Sequence, residues 1–279
     1  MPTFDTPKPI IATVGFESGT LRVIAGDAAE TVVDVRPSSE TRDEDVKGAE
    51  RTRVEFANGS LLVKGPKNRS PFSKGSSIDV RITLPAGSEL RVDTAMSHVV
   101  TEGRLGDCDI KTSVGDLQIE QAAALQLNTG YGEISLGRAS GSAQVTTGSG
   151  GIRLGEVKGA VTVKNSNGAT DIGVVGGDVT ARGANGSVTV ERAEADVTLK
   201  SANGSLRVGE LARGTAVLET AVGSIEVGIR QSTATFLDVR TKAGSVRQPL
   251  AESEAPAESA DTLKVRARTA MGDITIRRA

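Results

Sequence analysis

The chain has 279 residues, with 33 basic against 35 acidic side chains, and a net charge of −2 gives neither nucleic acid nor an anionic membrane a bulk attraction. Aromatics are 2% of residues and glycines number 33, so a core must come from Val, Ile, Leu and Ala packed in a narrow space. The single cysteine excludes an intramolecular disulfide framework, and no stretch approaches the roughly 20 apolar residues of a membrane helix. The start, "MPTFDTPKPIIATVGFESG", lacks a charged segment followed by an apolar run. The expectation is a soluble cytoplasmic protein without membrane insertion.

Residues 1–90 carry long alternating strands: "GTLRVIAG" (19–26), "TVVDVRP" (31–37), "TRVEFANGSLLVKG" (52–65) and "SSIDVRITLPAG" (76–87). Phe4, Phe16, Phe56 and Phe72 fall here, four of the five phenylalanines. This region keeps no period and reads as a β-rich N-terminal cap, plugging one end of the following domain with larger side chains. Between its strands, "SSETRDEDVKGAE" (38–50) reads as a charged surface loop.

From residue 91 to 279 the sequence repeats. A small residue, usually Gly, precedes a short apolar strand at Ser97, Gly115, Gly132, Gly150, Gly168, Gly186, Gly204, Gly223, Gly244 and Gly272. The first six intervals are 18, 17, 18, 18, 18 and 18 residues; the last three are 19, 21 and 28. Five residues before these anchors every copy is apolar, from Val92 and Ile110 through Val163 to Val239 and Ala267. Seven before, the same holds from Leu90 and Cys108 to Leu237 and Val265. Two after the anchor only Thr170 departs from Val, Leu or Ile. A weaker inward position lies seven after the anchor, at Ala122, Ala139, Val157, Val175, Ala193 and Leu211.

Such columns predict an all-β fold: a parallel β-helix, or β-solenoid, of about ten rungs with a period of about 18 residues. Parallel crossovers are overwhelmingly right-handed, so a right-handed coil is expected. The column three before the anchor is mostly Thr, and its stacked hydroxyls are expected to bond up and down the column. Asn167, Asn185 and Asn203, each followed by Gly, should form a ladder at a tight corner. A meander of antiparallel hairpins would give these columns no reason to exist. A left-handed hexapeptide helix would need an apolar residue every six positions, which the chain lacks.

The acidic segment "QPLAESEAPAESADT" (248–262) interrupts the last rung and reads as disordered. The chain then closes on "LKVRARTAMGDITIRRA", whose charges would blunt the final edge. A monomer, or a small homo-oligomer joined through these ends, is expected.

"GTLRVIAG", "SLLVKG", "IDVRITLPAGSELRVDTAMSHV", rungs such as "TSVGDLQI" and "TAVGSIEV", and the closing "TAMGDITI" together resemble a bacterial β-strand-repeat family. That family is a domain of unknown function labelled "putative adhesin". The resemblance covers nearly the whole chain. It implies a single-chain β-helix and an adhesin-like role, and it supplies no catalytic residues.

No catalytic residue, metal ligand or cofactor site is expected. His98 lacks a second His or Cys to make a zinc site and reads as a surface turn residue. Cys108 sits in an apolar column and reads as a small core hydrophobe. "GSGGIRLG" and "VVGGDV" lack the tandem Asp of calcium-binding glycine repeats, and "TGYGEISLG" lacks the Lys of a phosphate loop. Four before the anchor, Lys164, Arg182 and Lys200 form a basic column beside Thr162, Thr180 and Thr198. This strip is the candidate partner-binding site, for an unknown protein or anionic polymer; with so few aromatics, nucleic acid is the weaker partner. A non-enzymatic scaffold or binding protein is the leading reading. A self-assembling filament of bactofilin type is the alternative. A polysaccharide-active β-helix enzyme ranks below both, because Asp107 and Asp109 lack a basic partner at their level.

Overall fold

The computed structural model describes residues 1–66, 75–231, 233–248 and 261–279. They form two compact units, residues 1–139 and 140–279. Alternating apolar side chains with Gly at the corners favour strands in both, and strands dominate.

In the first unit the strands are β1 (Thr3–Asp5), β2 (Ile11–Gly26), β3 (Glu30–Pro37), β4 (Arg53–Ala57), β5 (Ser60–Lys64) and β6 (Ser77–Pro85). They continue with β7 (Glu89–Arg104), β8 (Cys108–Val114), β9 (Leu117–Ala122), β10 (Leu125–Tyr131) and β11 (Ile134–Ala139). β8 and β10 stack in parallel on the first half of β7, and β9 and β11 on the second half. The columns read from sequence are real: Leu90, Cys108 and Leu125 align, as do Val99, Leu117 and Ile134, and all are buried.

The expected cap holds more solenoid than the sequence disclosed. β2 lies parallel on β7, from Ile11 opposite Glu89 to Ala25 opposite Gly103. β5 and β6 lie parallel on the other edge of β2. β2 and the pair β5 and β6 therefore supply two further rungs, stacked out of chain order. Antiparallel strands then close the outer rung, with β4 on β5, β3 on β6 and β1 on β3. The filling is mainly aliphatic, from Leu21, Leu61, Ile78, Ile82 and Leu84. Phe16 is buried, while the Phe4 and Phe56 rings meet at 5.3 Å near the surface. Phe72 lies outside the described residues.

The stretch expected as a charged loop contains a helix, α1 (Asp43–Glu50). Three acids in its first turn suit the positive end of the helix dipole. One of them, Asp45, is buried and accepts the Ser77 N–H at 2.8 Å. That bond pins the helix to β6.

The second unit holds β12 (Ala143–Ser149), β13 (Ile152–Val157), β14 (Val161–Asn167), β15 (Thr170–Val175), β16 (Val179–Asn185), β17 (Val188–Ala193), β18 (Val197–Asn203) and β19 (Leu206–Leu211). β20 (Gly214–Val222), β21 (Ile225–Ile229), β22 (Ala234–Ala243), β23 (Val246–Arg247), β24 (Thr262–Met271) and β25 (Ile274–Arg278) complete it. One face stacks β12, β14, β16, β18 and β20 in parallel, and the other β13, β15, β17, β19 and β21. These parallel registers exclude the hairpin meander and establish the β-solenoid.

The order then breaks. β24 pairs with β20 on one edge and β22 on the other, and β25 lies likewise between β21 and β23. The final strands are thus inserted beneath the rung that precedes them in sequence, and the outermost rung is 234–247. Burial gives the reason. Val265, Ala267, Ile274 and Ile276 are wholly buried between two rungs, whereas Leu237, Val239 and Val246 tolerate partial exposure. The acidic loop expected at 248–262 falls, over 249–260, outside the described residues.

Corner chemistry fixes the period. Gly186 has φ +140°, in the region that favours glycine, and the anchor glycines around it are similar. The inward hydroxyls use these corners differently from expectation. Thr129, Thr220, Thr241 and Thr269 donate not to one another but to anchor carbonyls of the adjacent rung, those of Gly115, Gly204, Gly272 and Gly223, at 2.9–3.1 Å. Each bond satisfies a buried carbonyl that the strand ladder leaves unpaired. Asn165 replaces Thr in this column and donates to Gly150 O at 3.1 Å and to Thr170 Oγ1 at 3.3 Å. That explains how Thr170 is tolerated in an apolar column. The asparagine ladder stands as expected, with Asn203 donating to Asn185 at 3.0 Å and Asn185 to Asn167 at 2.9 Å.

Candidate functional site

Side chains four before each anchor point outward, because strand residues alternate between lumen and solvent. β14, β16 and β18 therefore bring Lys164, Arg182 and Lys200 into one column, Lys164 opposite Arg182 and Arg182 opposite Lys200. All three are exposed. Neighbouring strands lie about 4.8 Å apart, so three cations occupy about 10 Å of surface. The outward positions beside them are Thr162, Thr180 and Thr198 on one side and Ser166, Ala184 and Ala202 on the other, with no acid among them. Lys164 and Arg182 make no ion pair among the described residues. Lys200 does: its Nζ lies 2.7 Å from Glu219 on the next rung. That bond holds the Glu219 carboxyl below the usual carboxylate range. The strip expected from sequence is thus assembled, with one end neutralised.

Farther along the column, Glu219 faces Arg268 and Arg268 faces Arg240. Asp238 gathers Arg240, Arg266 and Arg268 at 3.2–3.3 Å. Bonds from Arg266 and Arg268 hold its carboxyl below the ordinary range.

The first unit contains a groove that sequence reasoning missed. One outward column runs Lys64, Gly15, Asp93 and Lys111, and its neighbour includes Arg91 and Asp109. Gly15 leaves a dent between the longer side chains, and the concavity has a volume of about 760 Å³. Asp109 is therefore accompanied by Arg91 on the adjoining rung and Lys111 on its own strand, contrary to expectation. Asp107 sits at a corner and accepts the Ala124 N–H at 3.2 Å. The groove exists only because β2 stacks between β5 and β7. One signal was present: Ala12, Val14, Phe16, Gly19 and Leu21 repeat the rung spacing.

His98 is exposed, with its Nδ1 3.8 Å from Asp116. Among the described residues, no three His, Cys, Asp or Glu side chains gather as a metal site requires. Cys108 is buried, and burial, with Asp107 adding to it, pushes its thiol up to about 12. Only about one molecule in ten thousand then carries a thiolate at pH 8. Native protein is expected to leave a colorimetric thiol reagent unreacted at pH 8, while unfolded protein releases one equivalent. Because the folded value lies above the ordinary 9.0, this group's contribution to stability should be lost as pH rises from 9.0 toward about 12. A denaturant titration at stepped pH reads that loss.

Among the described residues, no helix is long and apolar enough to cross a membrane. No curated protein matches the sequence. The chain matches solved structures along nearly its whole length, two of which follow. A "putative adhesin" from Bacteroides fragilis NCTC 9343 is 15% identical, with 100% of this chain and 95% of that chain covered and a TM-score of 0.44. A "putative cell adhesion protein" from Clostridium sporogenes ATCC 15579 is 12% identical, with 99% and 94% covered and a TM-score of 0.25. Residues 13–277 match the Toastrack DUF4097 family. With nearly every rung inside that match, the chain belongs to the Toastrack family, a domain of unknown function built from parallel β-strand repeats.

Proposed function

We propose that this protein is a non-enzymatic binding scaffold, adhesin-like in using its outer surface, whose second unit presents Lys164, Arg182 and Lys200 to an anionic partner. The observation behind this reading is the in-register column of cations, two of them free of ion pairs among the described residues. Like charges opposite each other on neighbouring strands destabilise a sheet. A row of them with only small neutral residues on either side along the strands is costly to the fold and useful to an acidic protein or a polymer with repeating charge. The groove of the first unit supports catalysis less well, since its acids and bases offset one another.

Heparin serves as a defined polyanion probe, with fluorescence anisotropy as the readout. Lys164→Glu with Arg182→Glu is expected to weaken binding by about tenfold or more, a loss of about 1.4 kcal/mol or more. Lys200→Glu alone should do less, because Glu219 already neutralises Lys200. The melting temperature should stay near wild type, since these side chains are exposed. Binding should also fall steeply with salt, as exposed charges are screened over about 8–10 Å. Binding that ignores both salt and the reversals would reject the strip.

A further inference from the structure

The outermost rung of the second unit is unfinished. β22 and β23 have β24 and β25 on one edge and, among the described residues, no strand on the other. Ala234 donates its N–H to Asp261 O at 2.9 Å, on the β24 side. Main-chain groups alternate along a strand, so those of Thr235, Leu237, Val239 and Thr241 face the vacant edge. The lumen is open there as well. Val246 is 40% exposed, and Leu237 and Val239 are half-buried, while Val265, Ala267 and Ile274 one rung inward are fully buried. Phe236 stands 72% exposed on the outer face of the same strand. Long unpaired edges with apolar neighbours template further strand pairing.

We propose that this edge is completed by a second copy of the chain, β22 pairing antiparallel with β22 about a two-fold axis at Val239. In this register Val239 faces Val239 of the second copy and Leu237 faces Thr241, so the free main-chain groups meet one another. Asp238 faces Arg240, twice by symmetry. Phe236 lies against the aliphatic stem of Lys242. Moving the axis to Asp238 or to Arg240 sets that residue opposite itself, a like-charged pair that destabilises. Moving it by half a residue matches free groups with occupied ones. The strand is therefore complementary to itself, which is what a two-fold interface requires. The half-exposed Val239 is covered by Val239 of the second copy, and Leu237 by its Thr241. On the outer rung of the first unit β6 and β5 are already paired by the antiparallel β3 and β4, so no parallel rung edge like that of β22 is presented there. The assembly closes at two chains and does not continue as a filament.

The test is the mass in solution by light scattering and sedimentation, at up to about 100 μM, where micromolar association would be complete. Wild type is expected at twice the chain mass. Val239→Pro removes an N–H that faces only the vacant edge, and Arg240→Glu sets acid against Asp238 of the second copy. Both are expected to give folded single chains. Residues directly opposite in an antiparallel hydrogen-bonded pair have Cα atoms about 5.5 Å apart, within disulfide reach. Val239→Cys should therefore cross-link into a covalent dimer on oxidation, while Lys242→Cys should not; the native Cys108 is buried and does not compete. The dimer should persist at about 0.5 M salt, where polyanion binding to the basic strip is screened away, so the two proposals fail separately. A wild-type monomer at every concentration would overturn the inference. A dimer that survives both substitutions would overturn the assigned edge. A chain that dimerises only after residues 249–260 are replaced by a Gly-Ser bridge would give the edge to that segment instead.

Discussion

Val163→Asp is expected to abolish the folded state at neutral pH. Val163 is 1% exposed, stacked between Val145 and Ala181 in the central lumen of the second unit. Every neighbour in that column is apolar, so a carboxylate there finds no partner. Replacing Val by Ala at the same site removes two methyl groups and should cost about 2 kcal/mol. The charged variant adds the desolvation of an ion, several kcal/mol more, against a total stability of only about 5–15 kcal/mol. Its carboxyl would be driven above its unfolded value, so the variant should recover stability as pH falls toward 4. Circular dichroism melts of the Asp and Ala variants at pH 7 and pH 4 measure all three effects. An Asp variant that melts like wild type at pH 7 would show that the column does not face the lumen.

Gly186→Ala should be nearly as damaging, although it adds a single methyl group to a corner. At φ +140° an L-residue is strained, which costs about 1–3 kcal/mol by itself. The new Cβ would also fall inside the carbonyl oxygen of Gly168 and 2.6 Å from its carbonyl carbon. Both are main-chain atoms held by strand pairing on each side, so they cannot turn away. Relief requires two rungs to separate, which breaks the backbone bond from Gly168 N–H to Asn185 O at 2.9 Å. A loss of about 3 kcal/mol or more is expected, read as a shifted denaturant midpoint. Gly151→Ala is the control: its φ is ordinary and nothing lies within 4 Å of the added Cβ. It should leave the midpoint unchanged.

The lumen was legible in the sequence because every coil must place an apolar residue at the same step, as Leu90, Cys108 and Leu125 do. The asparagine ladder was legible for a similar reason, since Asn bonds to its own kind one rung away. The partners of the threonine column were not. Their acceptors are carbonyls aimed by the positive φ of the anchors, and no side-chain letter records where a carbonyl points. Stacking order was hidden for a different reason. Periodicity compares neighbours in the chain, whereas β2 meets β7 across a separation of 78 residues. At the other end the widening intervals before Gly244 and Gly272 were the trace of insertion, but interval length alone does not say which strand lies inside. The basic strip was legible because it lies where chain order and stacking order agree. The groove beside Gly15 was not, because it lies where they disagree.

That disagreement bears on how the protein is made. A solenoid stacked in chain order can add each coil to the last as synthesis proceeds, so the nascent chain never carries more than one raw edge. Here β20 and β21 find their rightful neighbours only once residues 262–278 exist, and 234–247 must wait outside or be displaced. In the same way one edge of β2 stays open until β7 has been made. The coils that hold β2 and β22 to β25 therefore settle late, while the regular coils of each unit can form as translation advances. Quality control during synthesis would meet sound regular coils beside provisional ones in each unit.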